Sequence, residues 1–229
     1  MRVLILTFGA LAMLTAPALG AGDTEPPTTA TVPDGIPGEN GWFRSDVEVR
    51  LVCTDNLQCG STQYSVDGSV FAAYGDPFPV SGEGIHTVLA SSQDTTGNIE
   101  PVTTLEVRID HTLPSASLDD PAAGSVSVND MVLPLPALPV TLIVGDKTVL
   151  ASMSDALSGA GRVEFVVDGV VRANDAESPF AWLWPSSEES LGGHTLQINA
   201  YDIAGNVVSQ GLEVIVVPTT AEGLQATLD

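Results

Sequence analysis

Positive charge is the scarcest property of this 229-residue chain. It contains 7 Lys and Arg against 29 Asp and Glu, a formal net charge of −22, and Lys147 is its single lysine. Neutralising nucleic-acid phosphates requires clustered Lys and Arg, and attraction to an anionic membrane surface also requires basic segments. We therefore expect neither nucleic acid nor an anionic membrane surface among its partners.

Long apolar runs are absent except at the N-terminus. Residues 3–14 are apolar, Arg2 precedes them, and small residues follow at 16–20. This is the pattern of a secretory signal peptide over residues 1–20, with cleavage after Ala18 or Gly20. The run is shorter than the roughly 20 residues of a membrane-spanning helix. The sequence therefore predicts a secreted protein without membrane insertion, located in the periplasm, at the cell surface or outside the cell.

Cysteine is nearly absent, since Cys53 and Cys59 are the only two. The five residues between them differ from the spacing of a redox C-x-x-C pair, and no further cysteine exists to complete a zinc site. A secreted chain matures in an oxidising compartment. The pair therefore predicts a structural disulfide across a short loop.

Two halves of the remaining chain repeat each other. Five short matches occur in the same order, and the offset between partners grows from 87 to 108 residues, as it does when insertions fall in loops. The matches pair residues 23–27 with 110–114, 66–68 with 167–169, 77–78 with 179–180, 84–88 with 193–196, and 94–98 with 202–206. The boundary between the halves therefore falls near residues 110–114.

Each half alternates apolar and polar residues with period two, between turns that contain Gly, Asn and Asp. This alternation predicts short, half-buried β-strands, and no stretch after the signal shows a helical period. The sequence predicts an all-β protein of two tandem β-sandwiches, at 23–112 and 113–217, followed by a flexible tail at 218–229. The prolines at 134, 136 and 139 predict an inserted, extended edge segment.

The motifs of both halves resemble bacterial Ig-like domains of surface and secreted proteins. In the first half they are residues 40–43, 53–55, 64–68 and 94–98; in the second they are 163–169, 178–180, 193–196 and 201–206. The resemblance implies an Ig-like or fibronectin III-like sandwich in each half. It also implies a non-catalytic module, of a kind often placed beside catalytic or adhesive domains.

The turn aspartates form the principal candidate site. In a sandwich of alternating strands, the N-terminus and two of the inter-strand loops meet at one end. Three carboxylates at such a junction suit a hard cation such as Ca²⁺, whereas the alternative is that each Asp caps its own turn. The two interpretations remain open, and the residues are Asp23, Asp55 and Asp94 in the first half and Asp110, Asp155 and Asp202 in the second.

The tryptophans form a second candidate. Trp182 and Trp184 alternate with Phe180 on one face of a predicted strand, and Trp42 lies in the first half. Exposed rings would form a ligand platform for sugars, whereas buried rings would fill the sandwich core.

No enzyme is expected, because no Gly-x-Ser-x-Gly motif occurs and His86 and His194 lie in different halves. The sequence predicts a non-catalytic structural spacer or adhesion module with protein or glycan partners, and Ca²⁺ is its only cofactor candidate. The alternative function is a carbohydrate-binding accessory module of a secreted hydrolase system. The oligomeric state is left open.

Overall fold

A computed structural model describes residues 22–219. The predicted signal peptide and residues 220–229 of the predicted tail lie outside this range. The described part consists of strands and loops with a single 3₁₀ turn at Ser186–Glu188. Within it, no helix has the length and apolar character needed to cross a membrane.

The first domain is a sandwich of a three-stranded and a five-stranded sheet, in the orders β1-β3-β6 and β2-β8-β7-β4-β5. Apart from the parallel pair β2 and β8, neighbouring strands run antiparallel. The strands are β1 Thr28–Asp34, β2 Trp42–Phe43, β3 Val47–Thr54, β4 Cys59–Val66, β5 Ala72–Ala73, β6 Phe78–Val80, β7 Gly84–Asp94 and β8 Thr103–Ile109.

The second domain packs a three-stranded sheet against a seven-stranded one, in the orders β16-β13-β9 and β11-β10-β12-β18-β17-β14-β15. No sheet of the described residues contains strands from both sides of residues 110–114. The strands are β9 Ser115–Asp120, β10 Val126–Val128, β11 Met131–Val132, β12 Thr141–Val144, β13 Lys147–Ser154, β14 Ala160–Val167, β15 Val170–Asp175, β16 Phe180–Trp184, β17 Gly192–Asp202 and β18 Val207–Val217.

The period-two pattern of the sequence corresponds to the two faces of each strand. In β3, Val47, Val49 and Leu51 are buried while Glu48 and Arg50 face solvent. Each domain has its own core of alternating apolar residues. The expectation of an all-β protein built from sandwiches is therefore confirmed.

The proline-rich segment lies at an edge of the larger sheet, as expected. Strands β10 and β11 pair as a short hairpin, and β10 runs parallel to β12. Residues 134–140 follow without regular structure and are exposed. Proline lacks a backbone N–H, so it is compatible with an edge and not with the interior of a sheet.

The disulfide joins Cys53, near the end of β3, to Cys59, at the start of β4. It closes the loop that carries Asp55. The predicted bridge is therefore present, and it restrains one of the loops that form the candidate site.

Two charged side chains of the second domain, Lys147 and Glu189, are buried beside partners of opposite charge. Asp120 lies in β9 and forms an ion pair with Lys147, whose side chain is 1% exposed. Glu189 is 5% exposed and pairs with Arg172 at 3.0 Å. In both pairs a partner of opposite charge compensates the buried side chain, and the spacing in the sequence does not reveal this.

We expect the Cys53→Ala/Cys59→Ala variant to lose about 2 kcal/mol of unfolding free energy. The reason is that the unfolded chain regains the entropy of a seven-residue loop. Urea denaturation followed by intrinsic fluorescence measures the loss, and reduction of the wild-type protein by dithiothreitol should produce a matching one. Unchanged stability in both experiments would show that the bridge does not support the fold.

Candidate functional site

The three predicted acids of the first domain converge. Asp23 precedes β1, Asp55 lies in the β3–β4 loop, and Asp94 ends β7. One carboxylate oxygen from each lies within 4.8 Å of the others. Two oxygens on opposite sides of a Ca²⁺ ion are about 4.8 Å apart, because each bond is about 2.4 Å long. The spacing therefore fits a shared cation.

The second domain repeats this arrangement at its boundary with the first. Asp110 follows β8, Asp155 lies in the β13–β14 loop, and Asp202 ends β17. Their oxygens also lie within 4.8 Å of one another. Asp110 is completely buried and Asp202 is 1% exposed. The structure thus brings together both predicted triads, and cation binding at Asp110, Asp155 and Asp202 stays a prediction.

Turn capping, the alternative interpretation, is also present in the structure. Asp94 Oδ1 accepts hydrogen bonds from the backbone N–H groups of Thr96, Gly97 and Asn98 at 2.6–2.9 Å. Asp155 Oδ1 likewise accepts from two backbone N–H groups of its own loop. Capping holds each carboxylate in one orientation, so it is compatible with a role in cation binding.

Burial and hydrogen bonding shift the pKa values of the two strand-end acids in opposite directions. Burial raises the pKa of Asp94, but hydrogen bonds from Asn98 and Thr96 outweigh it and lower the pKa to about 2. Burial raises the pKa of Asp202, and the negative charges of Asp110 and Asp155 raise it further. The hydrogen bonds from Asn206 lower it but do not outweigh these effects. The junction triad therefore favours a positive charge, whether a proton or a cation.

An asparagine in each domain ties the incoming chain to the loop before the last strand. Asn98 Nδ2 donates to the backbone oxygen of Asp23 at 3.1 Å. Asn206 Nδ2 donates to that of Asp110 at 3.0 Å, and also to Asp202 Oδ2 at 2.8 Å. The repeated aspartate and asparagine thus perform the same task in both domains.

A loop of the first domain contacts the second domain directly. The backbone N–H of Glu39 donates to the Ala204 oxygen at 2.8 Å, and Asn40 Nδ2 donates to the Ile203 oxygen at 2.9 Å. The Glu39 carboxylate binds the Arg162 guanidinium through two hydrogen bonds of 2.8 and 3.2 Å. The domains therefore meet through a specific interface as well as through the linker.

Two glycines permit this close approach. A Cβ on Gly38 would lie 2.4 Å from the backbone oxygen of Ala204 and 3.0 Å from that of Trp42. Gly205 has φ +87°, and a Cβ there would lie 2.9 Å from Glu39. Larger residues at either position would separate the two loops.

The histidines form a second repeated motif, away from the triads. The Nδ1 atoms of His86 and His194 lie 2.8 and 2.7 Å from Asp67 and Asp168. Their Nε2 atoms lie 3.0 and 2.9 Å from backbone oxygens. Both nitrogens of each ring therefore face acceptors, and Asp168 and Glu189 both lie close to His194.

The predicted tryptophan platform is not formed. Trp42 is 7% exposed and Trp184 is 2% exposed. Trp182 packs between Phe165 and Trp184, with ring centroids 5.9 and 5.6 Å away. A sugar ring needs an open aromatic face. The alternation of β16 directs Trp182 and Trp184 toward the core of the second domain, and Trp42 is buried in the first.

Sequence reasoning missed the charged residues that join distant segments. Glu100 is 6% exposed, and its carboxylate accepts hydrogen bonds from the N–H groups of Thr29 and Ser92 at 2.8 and 2.7 Å. It thereby ties β1 to β7. Glu39 and Arg162 are 123 residues apart in the chain. No local pattern in the sequence signals these pairings.

The fold and the repeated loops define a pair of immunoglobulin-like sandwiches. Residues 114–198, which lie in the second of them, match the family model described as a bacterial Ig domain. No curated protein matches the chain.

Several solved structures resemble the chain. The fibronectin(III)-like modules of Clostridium thermocellum CbhA share 19% identity over 84% of this chain and 97% of theirs, with a TM-score of 0.48. A Ca²⁺-stabilised adhesin with which an Antarctic bacterium binds ice shares 15% sequence identity. The match covers 78% of this chain and 45% of the adhesin chain, with a TM-score of 0.30. SGBP-B of Bacteroides ovatus, in complex with a mixed-linkage heptasaccharide, shares 16% sequence identity. The match covers 85% of this chain and 48% of the SGBP-B chain, with a TM-score of 0.28.

Acceptors at both ring nitrogens favour the doubly protonated imidazolium. The hydrogen bond with Asp67 raises the pKa of His86 despite burial, and the bonds with the Ser190 carbonyl and Asp168 raise the pKa of His194. We expect their contribution to stability to be complete below about pH 6.5, the ordinary His value. It should be lost as the pH rises through the folded-state pKa of each ring.

NMR titration of the ring signals and thermal melts between pH 5.5 and 8.5 measure this effect. The His86→Gln/His194→Gln variant should lose part of the pH dependence of its melting temperature. Titration of both rings at or below pH 6.5 in the wild type would contradict the assignment.

Proposed function

We propose that the chain is a secreted, non-catalytic spacer that holds binding loops at a fixed geometry outside the cytoplasm. The observation that carries this proposal is the contact between the two domains, in which backbone and side-chain hydrogen bonds join loop 38–44 to residues 202–206. A spacer requires that its units keep their relative orientation. Specific contacts at the junction supply that property.

The linker supports the same function. Asp110 is buried, its Oδ2 accepts from the N–H of Ser158 at 3.1 Å, and its backbone oxygen accepts from Asn206. Glu83 accepts from the N–H of His111 at 3.0 Å and from the Thr112 hydroxyl. Pro114 then restricts φ to about −65°. Residues 110–114 are therefore held from both domains.

A Ca²⁺ ion at Asp110, Asp155 and Asp202 would strengthen the junction further. Its two positive charges would offset most of the charge of three neighbouring carboxylates, two of which are buried. Oxygen ligands from both domains would then share one ion, so that separation of the domains would require its release.

The loops are the surfaces on which we place partner binding. Val70 is 91% exposed and Phe71 38% exposed in loop 67–77 of the first domain, and Leu191 is 72% exposed before β17 of the second. Apolar residues on ordered loops suit contacts with a protein or a glycan at the cell envelope. The alternative sugar platform is not favoured, because the tryptophan faces are covered.

The glycine at the interface provides the test. Gly38→Ala should weaken the junction by about 1–3 kcal/mol, because its new methyl group overlaps the Ala204 oxygen. Gly75→Ala is the matched control, since nothing lies within 4 Å of a Cβ at that position. Small-angle X-ray scattering and NMR relaxation should show independent motion of the domains in Gly38→Ala only, with each domain still folded.

Independent tumbling of the domains in the wild-type protein would reject the spacer proposal. A Gly38→Ala variant with wild-type scattering and relaxation would also reject it, because the contacts would then not hold the domains.

A further inference from the structure

We propose that Asp23, Asp55 and Asp94 of the first domain form a Ca²⁺ site that fastens the N-terminal segment onto the domain. This site is separate from the domain junction, and the inference does not rest on the spacer proposal. The three acids come from three segments of chain and present their oxygens within 4.8 Å of one another.

Several oxygens of the three carboxylates already accept hydrogen bonds. Asp94 is 5% exposed, and both of its oxygens accept hydrogen bonds from its own turn. Asp55 Oδ2 accepts from the N–H groups of Leu57 and Gln58, both at 2.9 Å. Asp23 Oδ1 accepts from the N–H of Glu25 and from Asn56 Nδ2, both at 3.0 Å. The carboxylates are therefore held in one orientation without a cation.

Two other oxygens of the triad have no hydrogen-bond donor. Asp23 Oδ2 and Asp55 Oδ1 are both withdrawn from solvent, and neither has a hydrogen-bond partner. They are two of only three such side-chain atoms among residues 22–219. Most buried polar atoms in proteins have a partner, and an ionised oxygen without one is costly. Two of these atoms from one triad indicate a ligand between them.

The surroundings of the triad favour a ligand of positive charge. None of the ion pairs among the described residues involves Asp23, Asp55 or Asp94. Three clustered carboxylates without a basic partner favour a cation.

The equivalent acid in the second domain, Asp110, has a donor to each of its oxygens. There, Asp110 Oδ1 and Oδ2 accept from the N–H groups of Thr112 and Ser158 at 3.2 and 3.1 Å. Asp23, the counterpart of Asp110, has one oxygen without a donor. The first-domain triad thus keeps an oxygen without a donor at the position where Asp110 of the junction triad has a donor to each oxygen. Hard oxygen ligands of full negative charge suit Ca²⁺ best among common extracellular cations.

A shared ion would attach the segment before β1 to the end of the first domain. Asp23 lies outside any strand, and its oxygens reach the domain through Asn56 and Asn98. An ion shared with the β3–β4 loop and the end of β7 would lock this segment to the end of the sandwich. Removal of Ca²⁺ should therefore release the segment first.

Isothermal titration of the chelator-stripped mature protein with CaCl₂ tests the proposal. The decisive variant is Asp55→Asn, which retains one oxygen for the turn and can place an amide donor against Asp23 Oδ2. It should bind one Ca²⁺ fewer per chain than the wild type, and it should fold without Ca²⁺. Asp76→Asn, an exposed acid of the same domain, is the charge-matched control and should bind as the wild type does.

Two further readouts locate the ion. Backbone NMR signals of residues 23–25, 55–58 and 94–98 should shift on addition of Ca²⁺ in the wild type and remain unchanged in Asp55→Asn. The melting temperature of the wild type should rise by about 5 °C at saturating Ca²⁺. Asp155→Asn, at the junction, should leave the NMR shifts of these segments intact.

The proposal is overturned if these signals do not respond to Ca²⁺, or if Asp55→Asn and the wild type bind equal numbers of ions. Ca²⁺ binding that is lost in Asp155→Asn alone would also overturn it, because the ion would then belong to the junction triad. That last outcome would not contradict the spacer proposal, which rests on the contacts between the domains. The two proposals can therefore fail separately.

Discussion

One buried side chain, the amide of Asn206, joins the two sandwiches at the linker. It closes its own turn by donating to Asp202 and holds the linker by donating to the backbone oxygen of Asp110. Leaving a buried polar group without its partner costs about 1–3 kcal/mol. A single amide therefore couples the local structure of one domain to the entry of the chain from the other.

The same arrangement in the first domain shows that it is a property of the module. Asn98 holds the backbone of Asp23 as Asn206 holds that of Asp110. Each domain therefore binds the segment that precedes it through this hydrogen bond. In the second domain that segment belongs to another folded unit, and contacts such as Glu39 with Arg162 add to the interface between the domains.

The large excess of acids is distributed in a way that composition does not show. Asp23, Asp55 and Asp94 cluster at the end of the first domain, where backbone N–H groups compensate only part of their charge. The single lysine is buried between Asp120 and Asp130. Lys147 is thus unavailable for surface contacts. The composition alone shows that basic residues are few, and the structure shows that this one is used inside the fold.

Much of this organisation could be predicted from the sequence. Period-two alternation and turn residues indicated sandwiches, the short spacing of Cys53 and Cys59 indicated the bridge, and repeated motifs indicated which aspartates meet. These features depend on local geometry or on its repetition. Only the tertiary structure decided that Trp184 is covered, that Lys147 is buried and that Glu39 meets Arg162, because such pairings depend on how strands and domains pack across many intervening residues.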